Sequence, residues 1–175
     1  MRPGCDAEHN RGVSASEIHA GPEPAVSAGD DPRRYAHLLA QVYDAAMSGE
    51  KMPARPRSVI GESGGRVLQA GVDPELGGLD EGLDMPELEA RRLESGLSGV
   101  LDDLTRGLDS VIADGDNILV VADARGRVLS RSGAPRVLQR ADRLGFVEGA
   151  DWGENTVGTN AIGTALMSGR AVQVF

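Results

Sequence analysis

Cysteine is almost absent from this chain: Cys5 is the only one in 175 residues. A single thiol excludes an intramolecular disulfide and a zinc site built from several cysteines, and it suits a reducing compartment better than an oxidising one. Aromatic residues make up 3% of the sequence, so its core must be aliphatic. Histidine is confined to His9, His19 and His37, at spacings of ten and eighteen that fit no helix-borne or strand-borne metal pair. With no imidazole beyond residue 37, a Ser-His-Asp arrangement in the folded part is excluded. Positive charge is also scarce, 18 basic against 27 acidic residues for a net charge of −9, and no Lys or Arg cluster offsets it. Such a chain repels a phosphate backbone, so direct nucleic-acid binding is not expected. Lys51 is the sole lysine, and abundant Ala, Gly and Arg fit a GC-rich bacterial genome. No apolar run reaches the length of a membrane span, and the first 30 residues lack a signal-peptide core. These absences predict a cytoplasmic protein without membrane contact, metal or cofactor.

What is present is organised. Residues 1–31 are polar and broken by Gly and Pro, which predicts a disordered tail. Tyr35, Leu38, Leu39, Val42, Tyr43 and Ala46 then recur at helical spacing, predicting an amphipathic helix over 32–48, opened by Asp31-Pro32 and closed by Gly49. After a Pro-containing linker a weaker helix spans about 57–70, destabilised at Gly64 and Gly65 by about 1 kcal/mol each. Residues 71–85 read as loop. Pro86 opens one long helix to about Ala113, striped by Leu93, Leu97, Val100, Leu101, Leu104, Leu108, Val111 and Ile112. That stripe serves a sheet face or a partner helix equally well. Asn117 to Ala122 and Val128 to Ser130 flank Asp123-Ala124-Arg125-Gly126 and predict a hairpin. A helical stretch over 136–144 follows.

The last 24 residues, WGENTVGTNAIGTALMSGRAVQVF, join a polar loop to a Gly-punctuated helix and then to an apolar strand. Thr159 and Asn160 are placed to cap the helix, Ala161, Ile162, Ala165, Leu166 and Met167 form its apolar stripe, and Gly169 ends it. This string resembles the ligand-sensing GAF domain of bacterial sigma-54-dependent activators of the acetoin-catabolism regulator type. A second patch agrees: Ile60, Ser63, Arg66 and Gly71-Val72-Asp73-Pro74 are similar to the segment preceding that sensor, with Gly64 where the family usually has Trp.

The resemblance implies an α+β fold, an antiparallel sheet with packed helices and a small-molecule pocket. It divides the chain into the tail (1–31), a helical segment with linkers (32–85), and a partial GAF-like sensor with its leading helix (86–175). In the family the sheet continues beyond the strand starting at Ala171 and is followed by an ATPase and a helix-turn-helix, or by the latter alone. A stop within Val172-Gln173-Val174-Phe175 therefore reads as a cut. By position, the family places Phe146, Trp152, Glu154, Asn155, Thr159 and Asn160 on the border of the sensory pocket.

Four of these residues also have a plainer reading: Trp152 as cover for a core edge, Glu154 as a solvated carboxylate, Thr159 and Asn160 as caps alone. Gly158 to Thr164 has phosphate-loop spacing but supplies no Lys, so nucleotide hydrolysis is not expected. The functional expectation is signal reception without catalysis, by a module that binds a small effector and pairs as a homodimer or with a related regulator. The alternative is a truncated protein acting only by pairing with a full-length regulator.

Overall fold

A computed structural model describes residues 22–72, 82–108, 110, 112 and 115–174. The tail over 1–21, loop residues 73–81 with Asp73-Pro74, stripe residue Val111 and terminal Phe175 lie outside them. Helix α1 (Pro32–Ser48) has the expected limits. Asp31 accepts a hydrogen bond from the Arg33 backbone N–H, and Gly49 turns left-handed (φ 68°) to close the helix. Ahead of it, residues 22–31 form neither helix nor strand, yet their first part is held: Arg57 Nη1 donates to the Glu23 carbonyl (3.1 Å), and the Ala25 N–H donates to Gln173 Oε1 (3.0 Å).

Helix α2 (Ser58–Ala70) buries Val59, Ser63 and Val67, an i, i+4, i+8 face. A Cβ built on Gly64 or Gly65 would meet nothing within 4 Å, so neither glycine is needed for a close approach.

Among the described residues the expected long helix over 86–113 is interrupted: α3 (Met85–Glu94) and α4 (Ser98–Gly107) are separate helices, and Ser110 and Ile112 beyond them are also helical. Apolar spacing carries across the break, which is why periodicity alone overlooks it. What interrupts the helix is local: Gly96 adopts φ 69°, while Ser95 Oγ donates to the Arg92 carbonyl (2.7 Å) and accepts from the Leu97 N–H (3.2 Å). A serine that bonds neighbouring backbone in this way competes with the helical ladder. At the other end of α3, Asp84 and Glu87 form a capping box.

Strands β1 (Ile118–Ala122) and β2 (Val128–Gly133) form the expected hairpin, antiparallel from Ile118 opposite Gly133 to Ala122 opposite Val128, with an irregularity at Val121-Ala122. Val128 and Leu129 are fully buried. Helix α5 (Pro135–Arg143) sets Val137 and Ala141 inward, one turn apart, and both α3 and α5 pack on β2. The chain then returns along the hairpin. Gly149 N–H donates to the Val128 carbonyl (2.8 Å), Val128 N–H to that of Ala150 (2.9 Å), and Trp152 N–H to that of Gly126 (2.9 Å).

A short helix α6 (Glu154–Val157), unforeseen in the sequence, precedes α7 (Ala161–Ser168), which Gly169 closes at φ 66°. Both pack on α2. The fold is α+β, and among the described residues its sheet has two strands. The expected strand from Ala171 is not formed: residues 171–174 have no regular structure. Among the described residues they have no strand neighbour to supply a ladder of hydrogen bonds, and apolar composition alone does not make a strand.

Candidate functional site

The hairpin turn, the returning segment and helices α2, α6 and α7 converge around residues 152–154. Backbones meet so closely there that side chains are excluded. A Cβ on Gly163 would lie 2.5 Å from the Glu154 nitrogen, and one on Gly126 would lie 2.8 Å from the Gly153 nitrogen. Gly126 also sits at φ 90° in the hairpin turn, where an L side chain is strained.

At this junction Glu154 is buried, its side chain 2% exposed. Arg66 reaches it with both arms of the guanidinium, Nε to Oε2 at 2.7 Å and Nη2 to Oε1 at 2.9 Å. Ser63 Oγ donates to Oε1 at 2.5 Å and lies 2.9 Å from Thr159 Oγ1 and 3.1 Å from Thr164 Oγ1. A serine hydroxyl has one proton and a carboxylate accepts only, so the Ser63 proton is shared between Glu154 Oε1, at the shorter distance, and Thr159 Oγ1, both of which it is placed to reach as donor. Burial by itself would raise the Glu154 carboxyl. The hydrogen bonds from Arg66, Ser63 and Thr164, together with the Arg66 charge, outweigh it and bring the pKa from 4.5 to about 2. Ser63 and Arg66 sit three residues apart on one side of α2, while Glu154, Thr159 and Thr164 come from α6, α7 and the turn between them. The cluster is an ionic lock that fastens α2 to the α6–α7 unit.

Next to it Phe146 and Trp152 stack, with ring centroids 3.7 Å apart and planes inclined by 28°. Trp152 Nε1 donates to the Gly145 carbonyl (3.4 Å), and Arg131 Nη1 donates to the Phe146 carbonyl (2.8 Å). Asn160 is the N-cap of α7: its Oδ1 accepts from the Ile162 and Gly163 N–H groups, both at 2.9 Å, and its Nδ2 donates to the carbonyls of Trp152 (3.0 Å) and Gly158 (2.9 Å). The amides that a helix N-terminus offers an anion are thus already engaged at α7. Asn155 and the body of Thr159 face solvent.

Of the six residues expected at a pocket, Phe146 and Trp152 form one pair, Glu154 and Thr159 belong to the lock, Asn160 ties lock to stack, and Asn155 stands apart on α6. Ser63, Arg66 and Thr164 complete the cluster without having been proposed for it. Ser63 and Arg66 were visible as a matching pair in the segment before the sensor, but nothing in the sequence gave them a partner 88 to 91 residues away. Thr164 carries no signal beyond being a hydroxyl inside an apolar helix.

A second ionic cluster holds the far side of the hairpin. Asp123, also buried, accepts from the Arg125 and Arg127 N–H groups (2.8 and 3.0 Å) and from Arg91 Nε (2.6 Å). Burial pushes its carboxyl up, and these donors more than reverse the shift, leaving it below the usual carboxylate range. An open groove of about 410 Å³ lies beside it, lined by Arg91, Glu94, Ser95, Leu97 and residues 122–124. None of the six expected residues borders that groove. Among the described residues no group of three or more His, Cys, Asp or Glu is placed to hold a metal, and no helix is long and apolar enough to cross a membrane.

No protein-family model matches the chain. It is 34% identical over 165 residues to an uncharacterized 47.3 kDa protein in the thcA 5′ region of Rhodococcus erythropolis, covering 90% of this chain and 38% of that protein. It is 39% identical over 114 residues to the acetoin dehydrogenase operon transcriptional activator AcoR of Bacillus subtilis, covering 65% of this chain and 19% of the activator. Among solved structures it matches the crystal structure of the E. coli DhaR(N)–DhaL complex with a TM-score of 0.56, at 24% identity over 65% of this chain and 38% of that one. The last likeness bears on the fold alone. The chain spans less than two fifths of the length of each curated relative named here.

Proposed function

We propose that this chain is a GAF-like sensor portion of a regulator of the acetoin-catabolism type, a reading supported by its likeness to such regulators, and that it receives a small-molecule signal and transforms nothing chemically. The observation that carries this reading is the two-residue distance from the Phe146–Trp152 stack to the Glu154 lock. An effector seated against the aromatic pair and the neighbouring Asn155 and Thr159 displaces the 152–154 backbone. That backbone has no slack, because Gly126 and Gly163 crowd it. The displacement passes to α6 and α7 and alters how they hold α2, a population shift between two packings of one helix. Glu154 and Asn160 act in this reading as positioning groups behind the pocket. Catalysis is not proposed: a carboxyl held at about 2 by an arginine neither gives nor takes a proton near neutral pH.

Trp152 is the only tryptophan, so its emission reports the site directly. Titration with short hydroxyketones, acetoin first, is expected to change that emission saturably in the native chain and not in Phe146→Ala. An unchanged spectrum across hydroxyketones, short diols and small carboxylates, with the protein folded, overturns the reading.

A second reading, a protein that works by pairing, is favoured by a separate observation. Val100, Leu104 and Leu108 are 44%, 43% and 38% exposed on or just beyond α4, an apolar row that a monomer leaves uncovered. The matched solved structure is itself a complex of two proteins. A chain that self-associates or captures a related regulator while ignoring every effector would favour this reading.

A further inference from the structure

Helix α5 turns Val137 and Ala141 toward β2 and presents the opposite side to solvent. There Arg136, Gln139, Arg140, Arg143 and Leu144 follow one another at i, i+3, i+4, i+7 and i+8, all exposed, Leu144 to 74%. Arg140 and Arg143 have no ion pair or hydrogen bond from their side chains among the described residues. Among the described residues Arg136 meets only Asp116, in a pair 73% and 70% exposed, which water screens to little effect. Asp142, the one acid on this helix, is turned to Arg131. A chain of net charge −9 therefore carries a positive stripe edged by an uncovered leucine.

Helix α4 offers the complement at the same spacing. Val100, Asp103, Leu104, Gly107 and Leu108 occupy i, i+3, i+4, i+7 and i+8, all exposed, with Asp102 exposed beside them. Among the described residues Asp103 is engaged only by Arg106, an exposed neighbour on the same helix that it can exchange at small cost. Gly107 has open space over its Cα, a flat place for an arginine stem. With ten and nine residues, α4 and α5 are each about two and a half turns long.

We propose that α5 of one copy docks on α4 of a second copy, its arginines paired with Asp102 and Asp103 and its aliphatic stems and Leu144 laid over Val100, Leu104 and Leu108. Arginine stems cover apolar surface while their heads stay with the acids. A two-fold axis makes the contact twice and brings the buried surface toward that of a stable dimer. The proposal gives the pairing reading above a specific surface, and it stands whether or not an effector binds at Trp152.

Sedimentation equilibrium of the full chain, without effector, tests it. Concentration-dependent dimerisation is expected, weakened about tenfold or more by Arg140→Glu with Arg143→Glu, and equally by Asp102→Lys with Asp103→Lys. All four changes together restore it, because every copy then presents the reversed pair of faces. The substituted side chains are exposed, so an unchanged thermal midpoint for each variant separates lost pairing from lost folding. Should a reversal lower the midpoint, Leu104→Ser with Leu144→Ser reads the same surface. A chain that is monomeric throughout, or a dimer indifferent to both reversals, overturns the proposal. So does a monomer whose arginines bind an acidic polypeptide instead.

Discussion

Glu154 is the residue on which most of this structure turns, and its chemistry makes the stability depend on pH. Its pKa is 4.5 when unfolded and about 2 in the fold. A depressed carboxylate stabilises fully above its unfolded pKa and loses that contribution as pH falls through its folded one. The difference corresponds to roughly 3 kcal/mol, lost between about pH 4.5 and 2. We expect acid denaturation of the native chain to fall in that window when followed by circular dichroism. Arg66→Ala removes the countercharge while burial persists, so the Glu154 pKa rises and acid unfolding begins at higher pH. The same variant loses about 3 kcal/mol at neutral pH in denaturant melts. An acid limb unmoved by Arg66→Ala would show that another group governs it. None of this was legible at residue scale. The residue type alone left Glu154 as readily a solvated carboxylate, because its partners Ser63 and Arg66 lie on a helix 91 and 88 residues earlier.

At the scale of the element, local chemistry was read well where it was local. The limits of α1 follow from Asp31, Pro32 and Gly49, and the hairpin from Asp123 to Gly126, because caps and turns are decided within a few residues. The break between α3 and α4 escaped, since the leucine spacing runs on through Ser95-Gly96 and periodicity does not register a left-handed glycine. Helix α2 was expected to be weak and is formed nonetheless, held from outside by Val59, Val67 and the lock. Its two glycines remain a cost with no return: at Gly65 a methyl group would touch nothing within 4 Å. Gly65→Ala is therefore expected to stabilise the protein by about 0.5–1 kcal/mol, read as a higher urea midpoint with unchanged slope.

At the scale of the molecule, the division of the sequence at residue 85 cuts across a packing unit, because α2 precedes it and rests on α6 and α7 beyond it. Hydrogen exchange should reveal that unit. In Arg66→Ala, protection is expected to fall in 58–70 and 154–168 together, with little change in the β1–β2 hairpin, whose ladder does not depend on the lock. Loss confined to α2 would show that α6 and α7 are stable without it. The general α+β class was legible from the family resemblance, with which the element order agreed, but the fate of residues 171–174 was not, since an apolar run becomes a strand only where a neighbour supplies hydrogen bonds.

The lock also has a consequence for synthesis. Ser63 is made 91 residues before Glu154 and 101 before Thr164. At 5–20 residues per second the ribosome takes about 5 to 20 seconds to cover that distance, far longer than a helix or hairpin needs to form. During this interval the face of α2 bearing Val59, Ser63 and Val67 lacks helices α6 and α7, and Ser63 lacks Glu154, Thr159 and Thr164. The nascent chain thus displays for several seconds an apolar strip that the finished protein hides, and that strip is where a cotranslational chaperone would find it.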